Sequence, residues 1–285
     1  MNKNTDEASA RPFDIAADWL SFSVKRPAYD SESVVFENVH NFIRARFPEL
    51  KPDSVAYDKM ARAPYSGALK LGVGGLMMFS ADLNHMLIEI QGKGCRNLED
   101  TGEFYAVATR ALSVCMNITR FDLAVDFETD IDPEDFAKFR SPRFKSGGVY
   151  HSETGKTAYV GSPNSVRRAR VYRYYPPHER AHLLRVEMVL KKPDAKQALL
   201  DYLDKGAENF AAMAGKSFGW SHPLWQFTSS ETIKSWRPER GQASTMRWLY
   251  KAVLPALTRL QDEEVITDNN ALWQAIAGRA GRAGR

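Results

Sequence analysis

Residues Thr119–Phe127 read Thr-Arg-Phe-Asp-Leu-Ala-Val-Asp-Phe. Apolar and polar side chains alternate with a period of two, which is the pattern of a β-strand with one buried face. Phe121, Leu123, Val125 and Phe127 make the apolar face, and Arg120, Asp122, Ala124 and Asp126 the other. Leu183–Leu190 behaves alike: Leu184, Val186, Met188 and Leu190 are opposed by Arg185 and Glu187. Between these strands, Lys156–Gly161 and Arg167–Tyr175 flank a Ser-Pro-Asn-Ser turn, the signature of a hairpin. Arg168, Arg170, Tyr172 and Tyr174 share one face of its second arm, and Ala169, Val171 and Arg173 the other.

A similar series precedes it. Asp18–Val24 reads as a strand, and residues 31–48 as a helix carrying Val35, Val39, Phe42 and Ile43. Tyr65–Ser80 is a glycine-rich hairpin, His85–Gln91 a strand, and Glu103–Val114 an amphipathic helix. Pro133–Phe139 is a short helix, and Pro193–Ala214 a longer one. Asp18 and Glu89 lie on strands flanking the first hairpin, as Asp122 and Glu187 flank the second. The expectation is an α+β fold: an antiparallel β-sheet core built of two degenerate β-hairpin-β-α halves, with helices packed on it. Residues 1–14 are expected to be a flexible leader and 15–214 the core. Residues 215–285 are expected to be a C-terminal helical extension. It comprises a connector over 215–242, a helix over Ser244–Leu260 kinked at Pro255, and a basic Gly-Arg-Ala tail.

The chain has 285 residues, 44% hydrophobic and 26% charged, which suits one large domain or a core with appendages. Its aromatic share of 11% exceeds that of a disordered chain. No apolar run approaches the length of a transmembrane helix, and the N-terminus lacks the apolar stretch of a signal peptide. Two cysteines, Cys95 and Cys115, make neither a zinc site nor a disulfide framework, so the expected compartment is a reducing cytoplasm. Net charge is +4, unevenly spread. Arg140–Lys192 holds 12 basic residues against three acids, whereas Glu99–Asp135 holds ten acids against two arginines. The basic block suits a polyanion, most simply nucleic acid; a solvated surface of fluctuating charge gives the same count.

Several motifs fail. His151–Thr157 ends in Gly-Lys-Thr, but Tyr150 stands where a phosphate-binding loop needs its first glycine, so no NTPase is read. Gly72-Val-Gly-Gly75 lacks the third glycine of a dinucleotide fingerprint. His178 and His182 follow Pro176-Pro177 and read as surface histidines rather than metal ligands.

The remaining constellation carries chemistry. Asp122 and Asp126 share one strand face with a small alanine between them, about 13 Å apart along the strand, and their carboxylates suit a hard cation. A tyrosine flanked by arginines, Tyr172 beside Arg170, suits phosphoryl chemistry. Guanidiniums bind phosphate oxygens and lower the pKa of a nearby phenol, and the phenolate attacks phosphorus. Each strand alone also fits the solvated outer face of a sheet.

Four blocks in order resemble the replication initiation factor family (Rep_trans). They are Ile118–Glu128, Lys156–Val166, Arg170-Val-Tyr-Arg173 and Leu184–Lys191. That family includes rolling-circle initiators of plasmids, filamentous-phage replication proteins and related relaxases. The resemblance implies that Tyr172 nicks one strand of origin DNA and keeps a 5′-phosphotyrosyl link, assisted by Arg170, Asp122 and Glu187. It implies Mg²⁺ or Mn²⁺ on oxygen ligands, Asp122 and Glu187 with Asp126, Asp18 and Glu89 in support. DNA contacts are expected from Lys156, Arg167, Arg168, Arg173, Arg185 and Tyr174, the last as a base-stacking platform. The implied partners are duplex, hairpin and single-stranded origin DNA in a bacterial cytoplasm, a host helicase and a host polymerase, with no membrane. Two cuts are needed per cycle, so a homodimer with one tyrosine each is one arrangement. The family's Tyr-x-Lys is Tyr172-Arg173-Tyr174 here, so either Arg173 or Arg185 supplies the lysine's charge or the site is weakened. Rival readings are a conjugative relaxase of the same chemistry and a non-catalytic DNA-binding replication regulator.

Overall fold

A computed structural model describes residues 12–27, 35–152, 155–175 and 183–233. At its centre two long antiparallel strands lie side by side, β1 (Pro12–Lys25) and β6 (Cys115–Glu128). Eight more strands extend the sheet: β2 (Pro52–Ala56), β3 (Gly67–Leu71), β4 (Gly75–Phe79), β5 (His85–Gln91), β7 (Ser146–Ser152), β8 (Gly155–Val160), β9 (Arg167–Tyr174) and β10 (Leu183–Lys191). Their order is β2-β3-β4-β5-β1-β6-β10-β9-β8-β7. All pairings are antiparallel.

That order is a palindrome of the two halves. Each half runs from a central strand through a helix, then a three-stranded meander and a return strand beside the centre, then two helices. The helices are α1 (Val35–Arg46), α2 (Gly92–Asp100), α3 (Phe104–Val114), α4 (Pro133–Lys138), α5 (Pro193–Lys205) and α6 (Ala207–Phe218). The expected duplication is therefore present in the topology. Its axis passes by the pair Trp19–Asp122, and Glu89 opposite Ser21 corresponds to Glu187 opposite Ala124.

One face of the sheet is covered. Phe121, Leu123, Val125 and Phe127 of β6 join Val186 and Met188 of β10, with Leu20 and Phe22 of β1, in one apolar cluster. Val39 and Ile43 of α1, Leu98 of α2, Val107 of α3, Phe136 of α4, Leu199 of α5 and Phe210 of α6 belong to that cluster. All six helices thus pack on the same side. Among the described residues no helix is long and apolar enough to cross a membrane.

Three expectations are corrected. β1 begins at Pro12, inside the stretch read as a leader. The helix expected over 193–214 is two helices, broken where Gly206 takes φ +79°, a left-handed conformation that glycine adopts freely. The core does not end at 214: α6 continues to Phe218, and Trp220, Trp225 and Ile233 are buried against it. The Trp225 ring lies on Gly215, where a Cβ would stand 1.9 Å from its Nε1. The proposed helix over 244–260, the basic tail, residues 1–11 and His178 with His182 lie outside the described residues.

If residues beyond 214 complete the core, Gly215→Ala should destabilise the protein by about 1–3 kcal/mol, the usual effect of overpacking. Urea denaturation of the full chain reads this directly; unchanged stability would show that Trp225 does not pack there.

Candidate active site

The uncovered face carries the chemistry. Strand alternation puts Asp122 and Asp126 of β6, Arg185 and Glu187 of β10, and Arg170, Tyr172 and Tyr174 of β9 on it. The register lines them in rows across the strands: Tyr172 opposite Arg185, which is opposite Asp126, and Arg170 opposite Glu187, which is opposite Ala124. The small Ala124 leaves the space into which Asp122 and Glu187 turn. Asp18 arrives by a different route. A β-bulge between Ala17 and Trp19 makes it an extra residue of β1. The Ala17 N–H donates to Glu99 Oε1 at 3.1 Å, and Tyr202 Oη donates to the same oxygen at 2.5 Å.

The charges are buried and mostly paired. Asp122 and Glu187 are fully buried, and Asp126 and Arg185 nearly so. Arg185 forms a two-pronged pair with Asp126, Nε to Oδ1 and Nη2 to Oδ2 at 2.7 Å each, and its Nη1 reaches Asp18 Oδ1 at 3.1 Å. Its guanidinium carbon lies 3.6 Å from the centroid of the Tyr174 ring. Arg120 holds Asp122 through Nε at 2.9 Å, comes within 3.6 Å of Glu187, and stacks over Trp19 at 4.2 Å. Arg170 pairs with Glu187 Oε1, while the Tyr172 hydroxyl donates to Glu187 Oε2 at 3.2 Å.

Like charges crowd the centre. The Asp122 and Glu187 carboxyl groups lie within hydrogen-bonding reach of one another. Burial first, then Glu187, raises the Asp122 carboxyl well above the usual carboxylate range against the pull of Arg120. Asp18 is pushed up to about 6, again by burial and then by Glu187. The Tyr172 phenol is raised, not lowered as expected: burial and Glu187 outweigh Arg185 and Arg170.

These placements sort the expected site residues. Tyr172, Arg170, Asp122 and Glu187 converge. Among the described residues no group of three or more acidic, histidine or cysteine side chains forms a metal-binding cluster. The pair Asp122–Glu187 nevertheless fits a hard divalent cation, which commonly uses one or two carboxylates and fills its shell with water and phosphate oxygens. In this arrangement Arg120 supplies the positive charge, holding both oxygens of Asp122 and coming within 3.6 Å of Glu187, so a cation there would displace it. Asp126 is held likewise, both its oxygens by Arg185. Asp18 stands beside the pair, tied to Arg185. Glu89 lies across β1 and pairs with Arg62.

Three expected DNA contacts turn away from this face. Lys156 pairs with Asp132 and Glu134 of the α4 N-terminus. Arg167 ties Asp194 to the Ile233 carbonyl. Arg173 donates to the carbonyls of Thr129 and Ile131. Strand parity places all three with Ala158, Ala169 and Val171 on the covered side. Arg168 and Arg185 stay on the open face, and one side of the Tyr174 ring is taken by Arg185 rather than left for a base. Arg120 is the residue the sequence reading passed over; its position two residues before Asp122 on the same strand face was the available signal.

No family model matches the chain, and neither does any curated protein. A solved structure does: the rolling circle replication initiator protein from Geobacillus stearothermophilus. It aligns with TM-score 0.53 and 17% identity over 78% of this chain and 99% of that one. The two proteins share a fold.

Two outcomes follow for the charges. Asp126→Ala strips the buried Arg185 guanidinium of its two-pronged partner, leaving only Asp18, and should destabilise the protein by about 3–5 kcal/mol. Chemical denaturation that shows less than 1 kcal/mol would place Arg185 elsewhere. For Asp18, the folded pKa of about 6 exceeds the ordinary 3.8, so the folded state binds the extra proton. Stability should therefore fall as pH rises from 4 to 6, by about 3 kcal/mol at most. In EDTA, Asp18→Asn should flatten that slope and raise Tm at pH 8; an unaltered slope would contradict the burial of this carboxyl.

Proposed function

We propose that the protein is a rolling-circle replication initiator that nicks one strand of its origin DNA with Tyr172. What supports this most is the hydrogen bond from the Tyr172 hydroxyl to Glu187 Oε2, with Arg170 gripping the other oxygen of the same carboxylate. A phenol whose pKa is raised needs a base in contact, and Glu187 is that base. The shared fold with a rolling circle replication initiator protein supports the same reading.

In the reaction the Tyr172 proton passes to Glu187 Oε2 as the phenolic oxygen attacks phosphorus. The phosphorus–O3′ bond breaks, the 3′ oxygen leaves as a hydroxyl after taking a proton, and the 5′ phosphate stays on the tyrosine. The free 3′-OH then primes a polymerase. Arg170, beside the Tyr172 ring, is placed to meet the phosphate oxygens. Arg185, locked by Asp126 and Asp18, supplies fixed positive charge in the same row and takes the place of the family's lysine. Asp122 and Glu187 would hold a Mg²⁺ or Mn²⁺ ion, which neutralises charge on the phosphate when bound. A relaxase would use the same groups and differ in its DNA.

Tyr172→Phe should fold normally and lose the covalent protein–DNA adduct, assayed on denaturing gels with single-stranded origin DNA and Mn²⁺. Asp122→Asn should keep DNA binding and lose Mn²⁺-dependent cleavage by at least about 100-fold. Full cleavage in EDTA would remove the metal from the mechanism.

A further inference from the structure

The palindromic sheet has a second depression on its open face, in the half without the tyrosine. There Leu76 and Met78 of β4 face Glu89 and Leu87 of β5, as Arg170 and Tyr172 face Glu187 and Arg185 in the other half. By this correspondence the first half retains one carboxylate and replaces Arg170, Tyr172 and Arg185 with Leu76, Met78 and Leu87. Charge has been exchanged for an apolar floor. Beside it lies a cavity of about 420 Å³ lined by Tyr65, His85, Leu87, Arg120 and Lys191, with serine, threonine and asparagine side chains and the Glu89 carboxylate among them. That volume falls in the range of small-ligand pockets. The Tyr65 and His85 rings meet edge to face, with centroids 5.9 Å apart.

The basic end adjoins the proposed active site. Lys191 is the cross-strand partner of Arg120, and Arg168 stands one row further along on β9, opposite Val189. The Arg168 Nε is buried and has no hydrogen-bond partner. Burial, then the charges of Arg168 and Arg120, lower the pKa of the Lys191 ammonium. A phosphate there would relieve the repulsion. Arg168 is four residues from Tyr172 on one strand, about 13 Å, so a single DNA strand spans both within a few nucleotides.

We propose that this depression is a nucleotide subsite for the single strand being cut: a base rests on Tyr65, His85 and Leu87, and its phosphate on Lys191, Arg120 and Arg168. The proposal rests on the nicking function above for its substrate. Stacking on aromatic rings is sequence-tolerant and gives the strand a grip beside the cut. The depression would thus hold one flank of the strand while Tyr172 acts on the scissile phosphate.

Binding in EDTA, where no cleavage occurs, tests it separately from nicking. Fluorescence anisotropy compares the full chain on a labelled dT12 oligonucleotide and on a fully abasic 12-mer. The wild type should prefer dT12, and Tyr65→Ala and Leu87→Ala should each remove about tenfold of that preference. His85→Ala gives a further check should Tyr65→Ala fail to fold by circular dichroism. Lys191→Ala should weaken both oligonucleotides alike and lower the slope of log K against log salt by about 0.7. Wild-type affinity for dT12 in the aromatic and leucine variants, or equal losses on both oligonucleotides, would overturn the subsite. So would displacement of dT12 by micromolar thymidine monophosphate, which would mark a site for a free nucleotide. Loss of the adduct assay with these results intact would refute the nicking function and leave the subsite standing.

Discussion

The arrangement depends on two carboxyl groups, Asp122 and Glu187, buried side by side on the open face of the sheet. Burying like charges together is costly unless partners answer them. Three arginines do so: Arg120 on Asp122, Arg170 on Glu187, and Arg185 on Asp126 and Asp18. Each guanidinium also rests near an aromatic ring, Trp19, Tyr172 or Tyr174. The lattice fixes where the phenol of Tyr172 sits and leaves it one acceptor. The raised pKas of Asp18 and Asp122 mark the charge that these arginines leave unmet.

Duplication explains why the site is on one side only. The two halves present corresponding strand positions to the open face, on either side of the β1–β6 seam. Glu89 and Glu187 still correspond, but Glu89 answers Arg62 and has leucine and methionine for neighbours. Opposite that carboxylate on β4 stands Leu76 rather than a polar residue. What remains is a mixed surface, with Tyr65, His85 and Leu87 among polar side chains, next to a cationic rim.

Most of the sheet was legible because its central strands carry apolar side chains on one face and mostly charged ones on the other. TRFDLAVDF and LLRVEMVL alternate, apart from Ala124, Leu183 and Val189 on the charged face, and the faces assigned from them hold. β2, β7 and α2 were illegible for physical reasons. β2 is a short strand that opens on Pro52, β7 opens Ser-Gly-Gly, and α2 begins Gly-Lys-Gly. Parity also held the answer for Lys156, Arg167 and Arg173, whose neighbours at odd separation face the site; local positive charge drew them into the expected DNA surface instead. Asp18 reaches Arg185 through a bulge, and no residue pattern announces a bulge of that kind. The core beyond residue 214 was missed because Trp220 and Trp225 stand among glycine, serine and proline without helical or strand periodicity.

Mass spectrometry of the trapped protein–DNA adduct offers the most direct examination of Tyr172 as nucleophile. Trypsin cuts after Arg170 and Arg173, so Val171-Tyr172-Arg173 separates from the following peptide that begins at Tyr174. After nuclease digestion, the nucleotide mass should be found on Val171-Tyr172-Arg173. The same mass on the peptide beginning at Tyr174, or on any peptide away from the open face, would contradict the assignment.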